Sequence, residues 1–156
     1  MEMGQPTWRK LTTVMIPERA ASVWTPALDY ITAGRLYKIT VEMKDDPATP
    51  GGKIDQFWTP ESGSACTADG DPSLTRNNAG TTDLCALGAL IGKVGGSSAD
   101  IKPDKEKTVL FGVGRHCVFS VAEAAKCGSL YLGINDAQAS LARIAGQLEV
   151  TIYESL

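Results

Sequence analysis

The sequence predicts an all-β chain, an antiparallel β-sandwich of jelly-roll type. Three observations carry that expectation. Apolar and polar residues alternate with period two in several segments. Those segments are short, and clusters rich in Gly, Pro, Asp and Ser separate them. No segment shows an apolar stripe of helical period over more than two turns.

Taken in chain order, the first candidate strand is Trp8–Ile16. One helical turn is expected to follow in 16–24, because Pro17 suits a first helical position and Glu18 its first turn. In 35–44, Tyr37, Ile39, Val41 and Met43 share one face, and Lys38, Thr40 and Glu42 the other. The segment 53–59 is a less regular strand ending in the pair Phe57 and Trp58, of which one ring should face outward. Residues 60–80 form the longest loop, too long for a plain connector. The strand 84–94 carries Gly88 and Gly92, which point to a bulge or a close approach of another group. Strands follow at 108–113 and 117–121, then a single helical turn within 122–126. In 128–135, Leu130, Leu132 and Ile134 alternate with Ser129, Tyr131 and Gly133. In 146–154, Leu148, Val150 and Ile152 alternate with Gln147, Glu149, Thr151 and Tyr153. Such alternation buries one face of a sheet and wets the other.

The 156 residues suit one domain, 1–156, with short contact arms expected at 1–7 and 154–156. A formal charge of −3 argues against nonspecific binding to nucleic acid or anionic membrane. The first ten residues hold no basic segment followed by an apolar run, so no secretory signal is read there; synthesis in the cytoplasm and incorporation into a virion or surface assembly fit this, and the final location is left open. No run approaches the length that spans a bilayer. One histidine excludes any site built on two imidazoles. The cysteines are Cys66, Cys85, Cys117 and Cys127, with no Cys-x-x-Cys. If oxidised, the pairs Cys66–Cys85 and Cys117–Cys127 each close one local loop, and four buried free thiols are the equal alternative.

The second half carries a further pattern. It runs from Leu84-Cys-Ala-Leu-Gly-Ala-Leu-Ile-Gly-Lys-Val-Gly95 through Phe111-Gly-Val-Gly114 and Gly128-Ser-Leu-Tyr-Leu-Gly-Ile-Asn-Asp136 to Gly146-Gln-Leu-Glu-Val-Thr-Ile152. This order resembles the calcium-dependent galactose-binding lectins of the LecA (PA-IL) type, clearest over 84–153. The resemblance implies a galactose-binding-domain-like sandwich. In that family the loop after the Asn-Asp pair supplies calcium ligands: the aspartate, a carbonyl four residues on, and two consecutive asparagines. Asp136 matches the aspartate and Ser140 the carbonyl position, but Arg143 and Ile144 stand where the asparagines belong. Calcium takes about six to eight oxygen ligands, and neither replacement offers one from its side chain. The resemblance therefore implies a degenerate site from which calcium is absent.

The remaining constellations carry no enzyme signature. His116 beside Cys117, with Cys127 later, falls short of the four ligands of structural zinc. Residues 88–93 are one residue short of a phosphate loop, and Val94 replaces its Ser or Thr. The candidate ligand-binding residues are Asn135, Asp136, Ser140, Phe57 and Trp58, with no catalytic residue, no metal and no cofactor expected. The expected role is non-enzymatic: protein–protein contact or self-association, as a structural or decorating subunit of a larger assembly such as a virion. The alternative is a carbohydrate-binding lectin of galactoside type, contacting glycan through loops 45–52, 60–80 and 135–146.

Overall fold

The computed structural model describes residues 7–16, 24–45, 50–51, 53–55, 68–70, 89–97, 107–135 and 148–156, with side chains omitted at 43–45 and 53–55. Among the described residues ten strands follow one another: β1 (Trp8–Ile16), β2 (Thr25–Leu28), β3 (Tyr37–Val41), β4 (Met43–Asp45), β5 (Lys53–Asp55), β6 (Leu90–Val94), β7 (Val109–Gly112), β8 (His116–Phe119), β9 (Leu130–Ile134) and β10 (Leu148–Ser155). A 3-10 turn, Ala124–Lys126, precedes β9. Sheet A has the order β1-β10-β3-β8 and sheet B the order β2-β9-β6-β7, while β4 and β5 form a separate hairpin. Every pairing is antiparallel. The chain is thus an all-β sandwich, as the alternation predicts.

The pairing is nested. Leaving the hairpin aside, the first strand pairs with the last (β1·β10), the second with the last but one (β2·β9), β3 with β8, and β6 with β7. Successive strand pairs alternate between the two sheets, so each sheet contributes one face to a shared core. Ile39, Val150 and Ile152 from sheet A meet Leu90, Leu130 and Leu132 from sheet B in one cluster, all fully buried. The inward positions are those the period-two reading assigned: Tyr37 and Ile39 in β3, Leu130, Leu132 and Ile134 in β9, Leu148, Val150 and Ile152 in β10.

Three findings depart from the sequence reading or sharpen it. β2 was not foreseen; it is four residues long, contains Pro26, and lies at the edge of sheet B, where a missing N–H costs no ladder bond. The helical turn expected in 16–24 falls on residues outside the description, apart from Ile16, which ends β1, and Trp24, which precedes β2. Glu154 and Ser155, expected in a contact arm, belong to β10. Glu154 is buried and its carboxylate accepts from Arg9 of β1 and, at 2.8 Å, from Arg35 before β3. Both arginines are exposed, so the clasp closes the end of the core while its cations stay hydrated.

Gly92 resolves as a close approach. It pairs with Phe111 on β7, and a Cβ at position 92 would lie 2.5 Å from Cζ of that ring. The ring cannot swing aside cheaply, because it packs on Phe119 at 4.6 Å between centroids, and Phe119 stacks on Tyr37 at 5.6 Å. Gly92→Ala is therefore expected to destabilise by about 1–3 kcal/mol through overpacking. In a double-mutant cycle scored by urea unfolding, Phe111→Leu should recover part of that loss; additive effects would show that the ring is not the obstacle.

Candidate functional site

One end of the sandwich gathers the end of β3, the start of β6, the turn between β7 and β8, the end of β9 and the start of β10. Leu90 is its hub. Its N–H donates to Ala68 O at 2.8 Å, and its carbonyl accepts from the N–H groups of Val113 at 2.9 Å and Gly114 at 3.1 Å. Val41 N–H donates to Arg115 O at 3.0 Å, so the same turn reaches from sheet B to sheet A. Asp69 fixes the turn from its side chain: Oδ1 accepts from Arg115 N–H at 3.1 Å and Oδ2 from Arg115 Nε at 2.6 Å. Gly114 has φ +63°, and a Cβ there would lie 2.5 Å from Asp69 Oδ1. A side chain at 114 and the aspartate clamp are thus mutually exclusive.

Asn135 sits at this end, immediately after β9, and is buried. Its N–H donates to Ala89 O at 2.8 Å. The other ligand-binding candidates, Asp136, Ser140, Phe57 and Trp58, lie outside the described residues, as do Cys66 and Cys85. What the description does establish is convergence. Ala68–Gly70 from the longest loop, Asn135 at the head of the loop after β9, and the end of β3 leading to the β4–β5 hairpin share one end of the sandwich. Two of the three loops that sequence reasoning proposed for sugar contact, 60–80 and 135–146, thus have described residues at this end, while 45–52 connects the strands of the β4–β5 hairpin. Among the described residues no three His, Cys, Asp or Glu side chains converge on a metal-sized site.

Cys117 and Cys127 are free thiols, so the pairing drawn between them from loop closure is not made. Cys117 lies on the inward face of β8, and Cys127 Sγ donates to Glu123 O at 3.6 Å. Burial pushes the Cys117 thiol above its ordinary pKa.

The two outer faces of the sandwich differ. On sheet B, Lys93 of β6 is fully buried. Its Nζ lies 5.0 Å from the Trp24 ring centroid and 4.8 Å from that of Tyr131, and it donates to Ser97 O. Ile91 and Trp24 beside it are buried too, so the chain itself closes this face. On sheet A, Lys38 of β3 stands between Trp8 at 4.9 Å and Tyr153 at 4.5 Å; all three are half-buried, and Thr151 in the neighbouring row is buried. Val118 is 47% exposed and Leu36 39% exposed, and His116, Thr13 and Lys10 are also exposed. Sequence reasoning marked neither lysine. Lys93 interrupts an apolar run without revealing its cover, and only the register brings Trp8 and Tyr153 beside Lys38.

No family model matches the chain, and no curated protein matches it. Among the described residues no helix is long and apolar enough to cross a membrane.

Two outcomes follow from this geometry. Asp69→Ala should cost about 1 kcal/mol, chiefly for the lost acceptor of Arg115 N–H, since the half-exposed ion pair adds little. Asp69→Asn, which keeps an acceptor, should cost less; equal losses in thermal unfolding would assign the effect to charge instead. For Cys117 the raised thiol favours the folded state fully below the ordinary thiol range, and that contribution is lost as pH rises through its own, higher pKa. Cys117→Val should flatten the decline in stability above about pH 8.5, as read from urea midpoints; an unchanged slope would place the alkaline titration elsewhere.

Proposed function

We propose that this chain is a jelly-roll sandwich that works by protein–protein contact, as a structural or decorating subunit of a larger assembly such as a virion. The nested strand order supports the jelly-roll assignment, because a long antiparallel ribbon rolled into two sheets pairs its strands in that way. The observation that carries the functional reading is the unequal finish of the two outer faces. Sheet B is closed by its own chain over Lys93, whereas sheet A presents Trp8, Leu36, Val118 and Tyr153 around Lys38. Leu36 and Val118 are exposed beside the half-buried rings of Trp8 and Tyr153, and exposed apolar side chains of this kind mark a contact surface. Thr7 and Leu156 border it, since Leu156 N–H donates to Thr7 O at 2.9 Å and Leu156 is 76% exposed. An assembly role accounts for a rigid scaffold with such a face.

A second reading has its own support. Loops rooted at the opposite end, around Ala68–Gly70 and Asn135, are placed as a sugar-binding rim would be. In this reading the chain is a galactoside-type lectin with a degenerate calcium loop.

Light scattering on a sizing column and a glycan array, run with and without EDTA, separate the two. The assembly reading expects a mass above that of one chain, reduced by Val118→Glu, and a blank array. A monodisperse monomer that binds glycan tightly would overturn it, and loss of that binding in EDTA would restore a calcium-bridged site.

A further inference from the structure

The edge strands of the two sheets are finished differently. β2 carries Pro26, and its register with β9 shifts between Pro26 and Leu28. β7 and β8 are only four residues long each. Proline, a broken register and short length all protect an edge from pairing with another chain. β1 is longer, at nine residues. Its first part is protected too: Arg9 and Lys10 are exposed cations, and Leu11 is passed over where the register with β10 shifts between Lys10 and Thr12. The stretch Thr12-Thr-Val-Met-Ile16 has no charge, no proline, no glycine and no register break. Its backbone direction follows from β10. Ser155 N–H donates to Leu36 O at 3.0 Å and Glu149 O accepts from Glu42 N–H at 2.9 Å, so the odd-numbered residues of β10 turn their backbone groups to the β3 side. Leu156 N–H donates to Thr7 O, so the even-numbered ones turn to the β1 side. Thr12, Val14 and Ile16 pair with Ile152, Val150 and Leu148 and point back at them. Alternation leaves the N–H and C=O of Thr13 and Met15 directed away from the sheet. Among the described residues those groups bond to nothing. Val14 packs on the core opposite Val150 yet is only half-buried.

We propose that a second copy of this chain pairs here, β1 antiparallel to β1, about a two-fold axis that passes beside Val14 perpendicular to the sheet. The inference rests on the protein-contact reading above and names a partner for it. The sequence and the register select the centre. Pro17 follows Ile16 and has no N–H to donate, and the break at Leu11 closes the other end of the stretch. A pairing centred on Thr13 sets Met15 against that break. A pairing centred on Met15 sets Thr13 against Pro17. Centred on Val14, Thr13 of each copy faces Met15 of the other, and each such pair exchanges both of its hydrogen bonds. The break at Leu11 then falls opposite Pro17, so both ends of the ladder stop together. Side chains agree with this register: Val14 meets its own equivalent, Thr12 faces Ile16, and no charge meets a like charge. The pairing joins two copies of sheet A into one continuous sheet. It leaves the outer face around Val118 free for the contact proposed above.

A ladder this short is a small contact, so the dimer is concentration-dependent, and without charges it should hardly respond to salt. Sedimentation equilibrium of the full chain checks both. Val118→Glu, on the far edge strand, should leave this dimer intact, which separates it from contacts through the outer face. Met15→Pro removes a donor that the monomer does not use, and symmetry removes it twice. It should weaken the dimer at least about tenfold while the thermal midpoint of the monomer moves little, as should Thr13→Pro. Val14→Cys places two thiols at a non-hydrogen-bonded pair, where Cα atoms lie about 4.5 Å apart, within disulfide reach. Mild oxidation should link the copies through residue 14, and peptide mass mapping tells that link from any made by Cys66, Cys85, Cys117 or Cys127. Thr13→Cys, whose thiol faces Met15 of the other copy, should not link. Where a proline variant unfolds, the residue-14 link carries the test. An association untouched by both prolines, with no link through residue 14, overturns the edge dimer and leaves the protein-contact reading standing. A wild type that stays monomeric at millimolar concentration overturns it as well, and if it also binds a glycan array the protein-contact reading falls with it.

Discussion

The last strand of the chain is the centre of its first sheet. β10 pairs with β1 on one side and β3 on the other, and its inward residues Leu148, Val150 and Ile152 are all fully buried. Sheet A is a pair of disconnected fragments until the final residues arrive. Every consequence described above passes through that constraint. The core closes on β10 from one layer, the Glu154 clasp ties its end to β1 and the segment before β3, and Thr151 and Tyr153 hold the middle of the outer face. Pairing the first strand with the last also makes the contacts long-range, which favours slow, cooperative assembly over stepwise growth.

That constraint explains which parts of the fold could be read in advance. The segments 35–44, 128–135 and 146–154 belong to strands with one buried face, and such strands must alternate. β6 could not be read so cleanly, because all its residues are buried and both faces are covered. A strand closed on both sides loses the polar beat that announces it. β2 had too little length to show a period and carries a proline besides. Gly92 was legible as a place where something comes close, but nothing local named Phe111, which lies on another strand and owes its position to pairing.

The candidate site was legible to a smaller extent and for the same reason. Asn135 at a strand end and the three loops could be named from turn chemistry. Their convergence could not, since it depends on Leu90 bonding Ala68 on one side and the turn at Gly114 on the other. Nothing local in the sequence showed that Asp69 would hold Arg115. Its role as a clamp exists only because Gly114 leaves room for a carboxylate and the adjacent N–H points at it. For Cys117 and Cys127 the structure shows the free thiols that loop closure had left as the alternative. Loop length says what a bridge would close, not which way a thiol faces, and Cys117 faces the core.

The two lysines show how little a local arrangement says about role. Lys38 and Lys93 each lie between two aromatic rings at nearly equal distances. Around Lys93 the Trp24 ring is buried with it, and the ammonium donates to the Ser97 carbonyl as part of a closed layer. A cation so deep must be satisfied from within, because water is not there to help. Around Lys38 the same pair of rings faces outward, flanked by exposed Val118 and by a threonine row with carboxylates past it. There the rings position a charge without consuming it, since cation–π contact leaves the ammonium protons free to turn outward. The difference lies in neither lysine. It lies in which side of the sandwich the fold covers.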